Sequence, residues 1–200
     1  MLEAVALASY MGVMSITPGP NNIMLTASGV NFGFRRSLPH MLGITLGCTV
    51  QLLLCAALYG SIATHLGELR PWLAAIGCSY LLWLSLKLAR ASAPGRNDAA
   101  RPMSFLAAAL FQWVNPKAWV MVLNACVLFL PRDSHASTLA AMALLSMSVN
   151  LPCIAIWAWG GEQLRHWLQQ AWALRLFNTA MALLLAGTAL WMLVSELGIA

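Results

Sequence analysis

Thr17-Pro18-Gly19-Pro20-Asn21-Asn22 and Asn115-Pro116-Lys117 each interrupt a long apolar run. An unpaired peptide group in hydrocarbon costs several kcal/mol, so irregular backbone at that depth is tolerated only where it is buried in protein or lines a polar cavity. Carriers use such discontinuous helices to set helix ends beside a bound solute. Working outward, these breaks fall in two of six apolar runs, at roughly 3–31, 39–64, 70–89, 103–130, 137–160 and 173–196. A spanning helix needs about 20 mostly apolar residues, and the two runs holding the breaks are long enough to cross with an interruption.

Composition supports a membrane assignment. The chain is 60% hydrophobic and 8% charged, with a mean hydropathy of +0.75; soluble domains carry about 25% charged residues. The net charge of +5 is scattered over short loops, which argues against a nucleic-acid partner. Glu3 is the only charge before Arg35, so the start lacks the basic region of a signal peptide and reads as a retained first transmembrane segment. Cys48, Cys55, Cys78, Cys126 and Cys153 lie in apolar runs without a CxxC pair and read as small hydrophobes. Neither a disulfide framework nor a metal site is expected. His40, His65, His135 and His166 belong to no HExxH motif, and no Gly-x-Ser-x-Gly elbow occurs, so an enzyme is not expected.

Arg35, Arg36, Lys87, Arg90, Arg96, Arg101, Arg165 and Arg175 lie in or beside the odd-numbered loops, against Arg70 and Arg132 on the other side. The positive-inside rule sets the odd loops in the cytoplasm and both termini outside. The halves also resemble one another: each starts with a proline-broken segment, and Ile76-Gly77 and Leu81-Leu82-Trp83-Leu84 find weak counterparts in Ala186-Gly187 and Leu190-Trp191-Met192-Leu193. The fold expected is an all-α membrane protein of six transmembrane helices. They form two inverted-topology three-helix repeats, 1–95 and 96–200, with helices 1 and 4 broken at the proline motifs. Leu164, Trp167, Leu168 and Ala171, opposite Arg165, Gln169 and Gln170, suggest a short interfacial helix or a polar linker.

At the first break the prolines remove two donors and Gly19 permits an unusual backbone. The helix should stop near Thr17 and restart with Asn21 as N-cap, presenting free N–H groups that suit a carboxylate. Asn22, Ser15, Thr17 and Thr26 add polar groups. At the second, Asn115 can cap a half-helix opened by Pro116. Lys117 then opposes the dipole of its own first turn and stands in the bilayer, two unfavourable placements that a bound anion would relieve. A backbone carbonyl or water in a structural cavity would also serve. No carboxylate lies near in sequence, so proton coupling would have to use Lys117, His40 or the substrate's own amine. Thr17, Gly19, Asn21, Asn22, Gln112, Asn115 and Lys117 are the candidate substrate-binding residues, and Pro18, Pro20 and Pro116 the structural breaks. Gln51, Asn124 and Asn150 read singly as interhelical hydrogen-bonding groups, and Gly43 and Gly47 as a close helix contact. Trp113 and Trp119 could wall the cavity or simply pack, while Trp72, Trp157, Trp159, Trp172 and Trp191 suit the aromatic belts.

Thr17-Pro18-Gly19-Pro20-Asn21-Asn22, Gly33-Phe34-Arg35-Arg36-Ser37, Gly43 with Gly47, Tyr80-Leu81 with Trp83-Leu84 and Lys87, then Phe105, Phe111 and Asn115-Pro116-Lys117 occur in that order. This series resembles the LysE/RhtB amino-acid exporter family over nearly the whole chain, closest to its cysteine/O-acetylserine branch. The resemblance implies a bacterial inner-membrane secondary transporter that expels amino acids or their derivatives on the proton gradient, without a cofactor. Its partners would be a small-molecule amino acid and membrane lipid, with a homodimer open as the assembly. The lack of an embedded carboxylate favours a neutral substrate over a dibasic one. The alternative function is a membrane thiol-redox carrier, which would need reactive cysteines at the breaks, where none stands.

Overall fold

The computed structural model describes residues 2–90, 101–130, 135–168 and 170–196, all of them in helices or short connections. The helices are α1 (Leu2–Ile16), α2 (Pro20–Phe32), α3 (Leu38–Ala57), α4 (Tyr59–Ala89), α5 (Phe105–Phe111), α6 (Pro116–Phe129), α7 (Ala136–Trp167) and α8 (Ala171–Glu196), with 3-10 turns at Arg35–Ser37 and Gln112–Val114. Arg96 and Arg132, used above for orientation, lie outside the described residues.

Arg35–Ala57, Ala136–Trp167 and Ala171–Trp191 are long and apolar enough to span a bilayer, and Phe105–Val114 with Pro116–Phe129 makes a fourth candidate, bent by 71°. Leu106, Leu144 and Leu183 are each more than 60% exposed, whereas Gln51, Gln112 and Asn178 are fully buried. Apolar groups outside and amides inside invert the arrangement of a soluble domain. They suit a chain whose solvent is lipid.

Several boundaries differ from the sequence reading. The second helix ends at Ala57, and α4 begins at Tyr59 with Pro71 inside it; the second and third helices therefore meet well before the expected run boundaries at 64 and 70. The stretch carrying Leu164 and Trp167 is no separate interfacial helix, because α7 runs unbroken from Ala136 to Trp167 through Pro152. Its 32 residues reach ~48 Å, well beyond a ~30 Å hydrocarbon core.

Two apolar clusters hold the bundle. Met11, Leu25, Ile44, Leu52, Val122 and Ile154 join α1, α2, α3, α6 and α7. Ile23, Leu81, Phe111, Leu185 and Ala189 join α2, α4, α5 and α8. Missing Cβ atoms set the close crossings. A Cβ on Gly29 would lie 2.1 Å from the Ala158 carbonyl oxygen, and one on Gly161 2.2 Å from that of Thr26, so α2 and α7 interlock glycine to backbone. Gly43 and Gly47 likewise let α3 ride on α5, and Gly77 lets α4 cross the turn at Val114. Gly187, matched to Gly77 in the sequence, meets nothing within 4 Å, so the two glycines have different packing roles.

Past the α2–α7 crossing, α2 ends on Gly33, whose φ of 86° is the left-handed conformation that glycine adopts without steric cost. Glu162 Oε1 accepts the Phe34 N–H at 3.1 Å. The hydroxyls of Ser28 and Ser37 meet at 2.7 Å, and Asn31 and Asn178 exchange two amide hydrogen bonds.

Candidate functional site

The first interruption separates α1, which stops at Ile16, from α2, which starts at Pro20. Gly19 is the N-cap and no side chain caps it. This corrects the expected role of Asn21, which falls inside the first turn. The cause is local: Pro20 has no N–H to satisfy and its fixed φ suits the first helical position, so the helix begins there. Asn21 Nδ2 instead donates to Gln112 Oε1 at 2.9 Å, and Gln112 Nε2 returns a bond to Asn21 Oδ1 at 3.2 Å. A reciprocal amide pair thus bridges the two interruptions.

The carboxyl end of α1 is closed by side chains from three helices. Asn22 Nδ2 donates to the carbonyls of Ser15 and Thr17, at 2.9 and 2.7 Å. Thr17 Oγ1 donates to the Met14 carbonyl. The Trp157 indole donates to the Ile16 carbonyl at 3.1 Å, so Trp157 sits at the break and not in an aromatic belt. Lys117 Nζ reaches the Thr17 carbonyl at 2.6 Å, Thr17 Oγ1 at 3.0 Å and the Pro18 carbonyl at 3.1 Å. These are the terminal carbonyls that a helix leaves unpaired, and the dipole makes that end negative.

At the second interruption Asn115 is the N-cap of α6, its Oδ1 accepting the Lys117 N–H at 3.2 Å, with Pro116 in the first position. The Lys117 backbone is at the positive end of α6, but its long stem carries the ammonium to the negative end of α1. Of the two partners the sequence left open, an anion or a backbone carbonyl, the carbonyls are the ones Lys117 meets here. Trp119 Nε1 donates to the Trp113 carbonyl, and the two rings meet edge to face at 6.0 Å; they brace this turn and do not line the cavity.

That cavity, of about 30 Å³, is lined by Met14, Ser15, Gly19, Asn21, Asn22, Cys48, Asn115, Lys117, Ala118, Met121, Asn150 and Ile154. It would hold about two waters. Five of the seven candidate residues line it; Thr17 and Gln112 stand behind, bonded to Lys117 and Asn21. Asn150 makes the interhelical hydrogen bonds read for it in the sequence, and makes them at the cavity. Its Nδ2 donates to Ser15 Oγ at 2.9 Å and its Oδ1 accepts from Thr45 Oγ1 at 3.1 Å, tying α7 to α1 and α3 at the cavity wall. Nothing in the sequence pointed to Cys48 or Trp157 at this site. Gln51 Nε2 donates to the Gln112 carbonyl. His40 is buried, with neither ring nitrogen hydrogen-bonded. Among the described residues no cluster of His, Cys, Asp or Glu could hold a metal.

Residues 12–196 match the LysE type translocator family. The chain is 31% identical over 183 residues to the cysteine/O-acetylserine efflux proteins of Escherichia coli (strain K12) and Salmonella typhimurium (strain LT2), covering 90% of this chain and 92% of each relative. The same figures hold for the cysteine/O-acetylserine efflux protein of Shigella flexneri. No solved structure gives a significant match. Because the match runs through both interrupted helices and the bundle between them, the chain belongs to the LysE type translocator family.

Proposed function

We propose that this chain is a secondary-active exporter of small neutral amino acids or derivatives of the cysteine and O-acetylserine kind. In this reading it works in the bacterial inner membrane on the proton gradient. Six crossings form two three-helix repeats of opposite orientation, 1–95 and 96–200, with both termini periplasmic. The observation that carries the reading is that both helix interruptions open on one polar cavity. The negative end of α1 and the uncapped positive end of α2 meet there, the pair of poles that a zwitterionic head group requires.

Charge supports the choice of a neutral solute. The cavity lining contains one ammonium and no carboxylate, so a second positive charge on a substrate side chain would meet repulsion without a counter-charge. Volume supports a carrier over an open pore. A space for about two waters must enlarge to take an amino acid, as expected of a protein that opens to one side at a time. The relatives' efflux of cysteine and O-acetylserine supports the direction and the size of the solute.

The test is transport by the purified chain in proteoliposomes preloaded with labelled O-acetylserine, cysteine, serine or lysine. Saturable efflux of the small neutral solutes, faster with an imposed proton gradient, is the expected result. Movement of lysine alone, or of none of them, overturns the proposal.

A further inference from the structure

We propose that the three oxygens around the Lys117 ammonium are the seat of the substrate's own amino group, and that Lys117 holds this seat until a substrate displaces it. The inference rests on the amino-acid reading above. An ammonium has three N–H donors and no acceptor. Thr17 O, Thr17 Oγ1 and Pro18 O, at 2.6, 3.0 and 3.1 Å from Nζ, supply three acceptors. Nothing in that geometry recognises lysine beyond its –NH3+ head, so any primary ammonium on a slim stem fits it.

The oxygens of the cavity lining gather no comparable set. A substrate ammonium needs acceptors, and no carboxylate lines the space. Asn21 Oδ1, Asn115 Oδ1 and Asn150 Oδ1 each already accept one hydrogen bond, from Gln112, the Lys117 N–H and Thr45. Beside the cavity, just past the carboxyl end of α1, three acceptors converge on one point, and Lys117 occupies it.

In this proposal, displacing Lys117 moves only its side chain. Its stem lies across Gly19, where a Cβ would stand 2.7 Å from Lys117 Cδ and 3.0 Å from Nζ, so open backbone lies beneath a flexible side chain. The seat does not collapse when vacated, because Asn22 Nδ2 continues to bond the Thr17 carbonyl and Thr17 Oγ1 the Met14 carbonyl. A displaced ammonium finds its new partner in the incoming carboxylate, which is drawn to the uncapped start of α2. The exchange keeps one ammonium on the carbonyls throughout. It requires a ligand bearing both charges: an amine alone strands Lys117, and an acid alone leaves the seat filled.

The experiment measures binding to the full chain in nanodiscs, by calorimetry under reducing conditions. The probes are cysteine, its decarboxylated form cysteamine and its deaminated form 3-mercaptopropionate. The wild type should bind cysteine, and the other two at least tenfold more weakly. Lys117→Met vacates the seat and should bind cysteamine at least tenfold more tightly than wild type, with no gain for 3-mercaptopropionate. Adding Thr17→Val to Lys117→Met should reduce that new binding severalfold, while Thr17→Ser should preserve it. If Lys117→Met fails to insert, Lys117→Gln, with a shorter and neutral side chain, carries the same expectation. No cysteamine gain in the variant that inserts, or a gain for 3-mercaptopropionate instead, overturns the proposal. The two readings fail separately. Cysteamine binding to the variant without amino-acid efflux by the wild type removes the exporter and keeps the seat; efflux without the gain does the reverse.

Discussion

Adding one methyl group at Gly29 should pry α2 from α7. In Gly29→Ala the new Cβ would stand 2.1 Å from the Ala158 carbonyl oxygen, 2.9 Å from the Glu162 nitrogen and 3.0 Å from the Ala158 carbonyl carbon. All three atoms are backbone and none can rotate away. Carbon–oxygen approaches between packed helices stop at about 3.3 Å, so the crossing must open by roughly 1.2 Å at this point. Forced overpacking of this sort costs about 1–3 kcal/mol. For a chain of this size that lowers Tm by about 2–4 °C per kcal/mol. Gly161→Ala meets the Thr26 carbonyl oxygen at 2.2 Å on the same crossing and should cost a similar amount. Since either methyl separates the same two helices, the double variant should cost clearly less than the sum. Gly160→Ala is the control: its Cβ meets nothing within 4 Å, and alanine gains about 1 kcal/mol of helix propensity, so Tm should hold or rise. Melting of the purified proteins in detergent reads all four. An unchanged Tm in Gly29→Ala, or fully additive losses in the double variant, would refute the interlocked crossing.

Three further outcomes are expected. Glu162→Ala removes the acceptor for the Phe34 N–H and should lose about 1 kcal/mol, while Glu162→Gln keeps an oxygen there and most of the stability; equal melting of the two would contradict this. Asn150→Leu strands the Ser15 and Thr45 hydroxyls, which should cost about 1–3 kcal/mol and slow efflux in proteoliposomes; wild-type rates and Tm would show the cavity wall indifferent to this amide. Replacing all five cysteines by alanine should leave efflux within a few-fold of wild type, since only Cys48 lines the cavity; total loss in an inserted protein would revive thiol chemistry.

What the sequence revealed was governed by local covalent chemistry. Pro18, Pro20 and Pro116 act on their own backbones, and the chain is irregular beside each of them whatever packs around it. Gly43 and Gly47 were legible for a similar reason, because a missing side chain leaves a surface that another helix can meet. The failures came where a neighbour distant in the chain decides. The third apolar run was expected to begin near residue 70, but α4 begins at Tyr59 and carries Pro71 internally. The stretch at Leu164–Trp167 has the spacing of an interfacial helix, and that same spacing continues the helix of α7. Asn21 was assigned as a cap, a preference that Pro20 pre-empted by one residue. For the site, residue type showed that Lys117 needs a partner and admitted a backbone carbonyl, but not which carbonyls, since that depends on where the end of α1 lies relative to α6. Trp157 and Asn150 entered only when α7 was seen to pass beside the end of α1.

The Asn21–Gln112 contact between the interrupted helices and the Asn150–Ser15 contact of α7 with α1 are made by uncharged groups. Parting and remaking them carries no charge through the bilayer, so a membrane voltage does no work on this wiring. Around the cavity the field has one handle of the protein's own, the ammonium on α6, worth ~2.3 kcal/mol per 100 mV if it crossed the full potential. The protein's own share of the voltage sensitivity of a transport cycle built on these contacts is therefore set by how far that single nitrogen travels, to which a coupled proton adds its own charge.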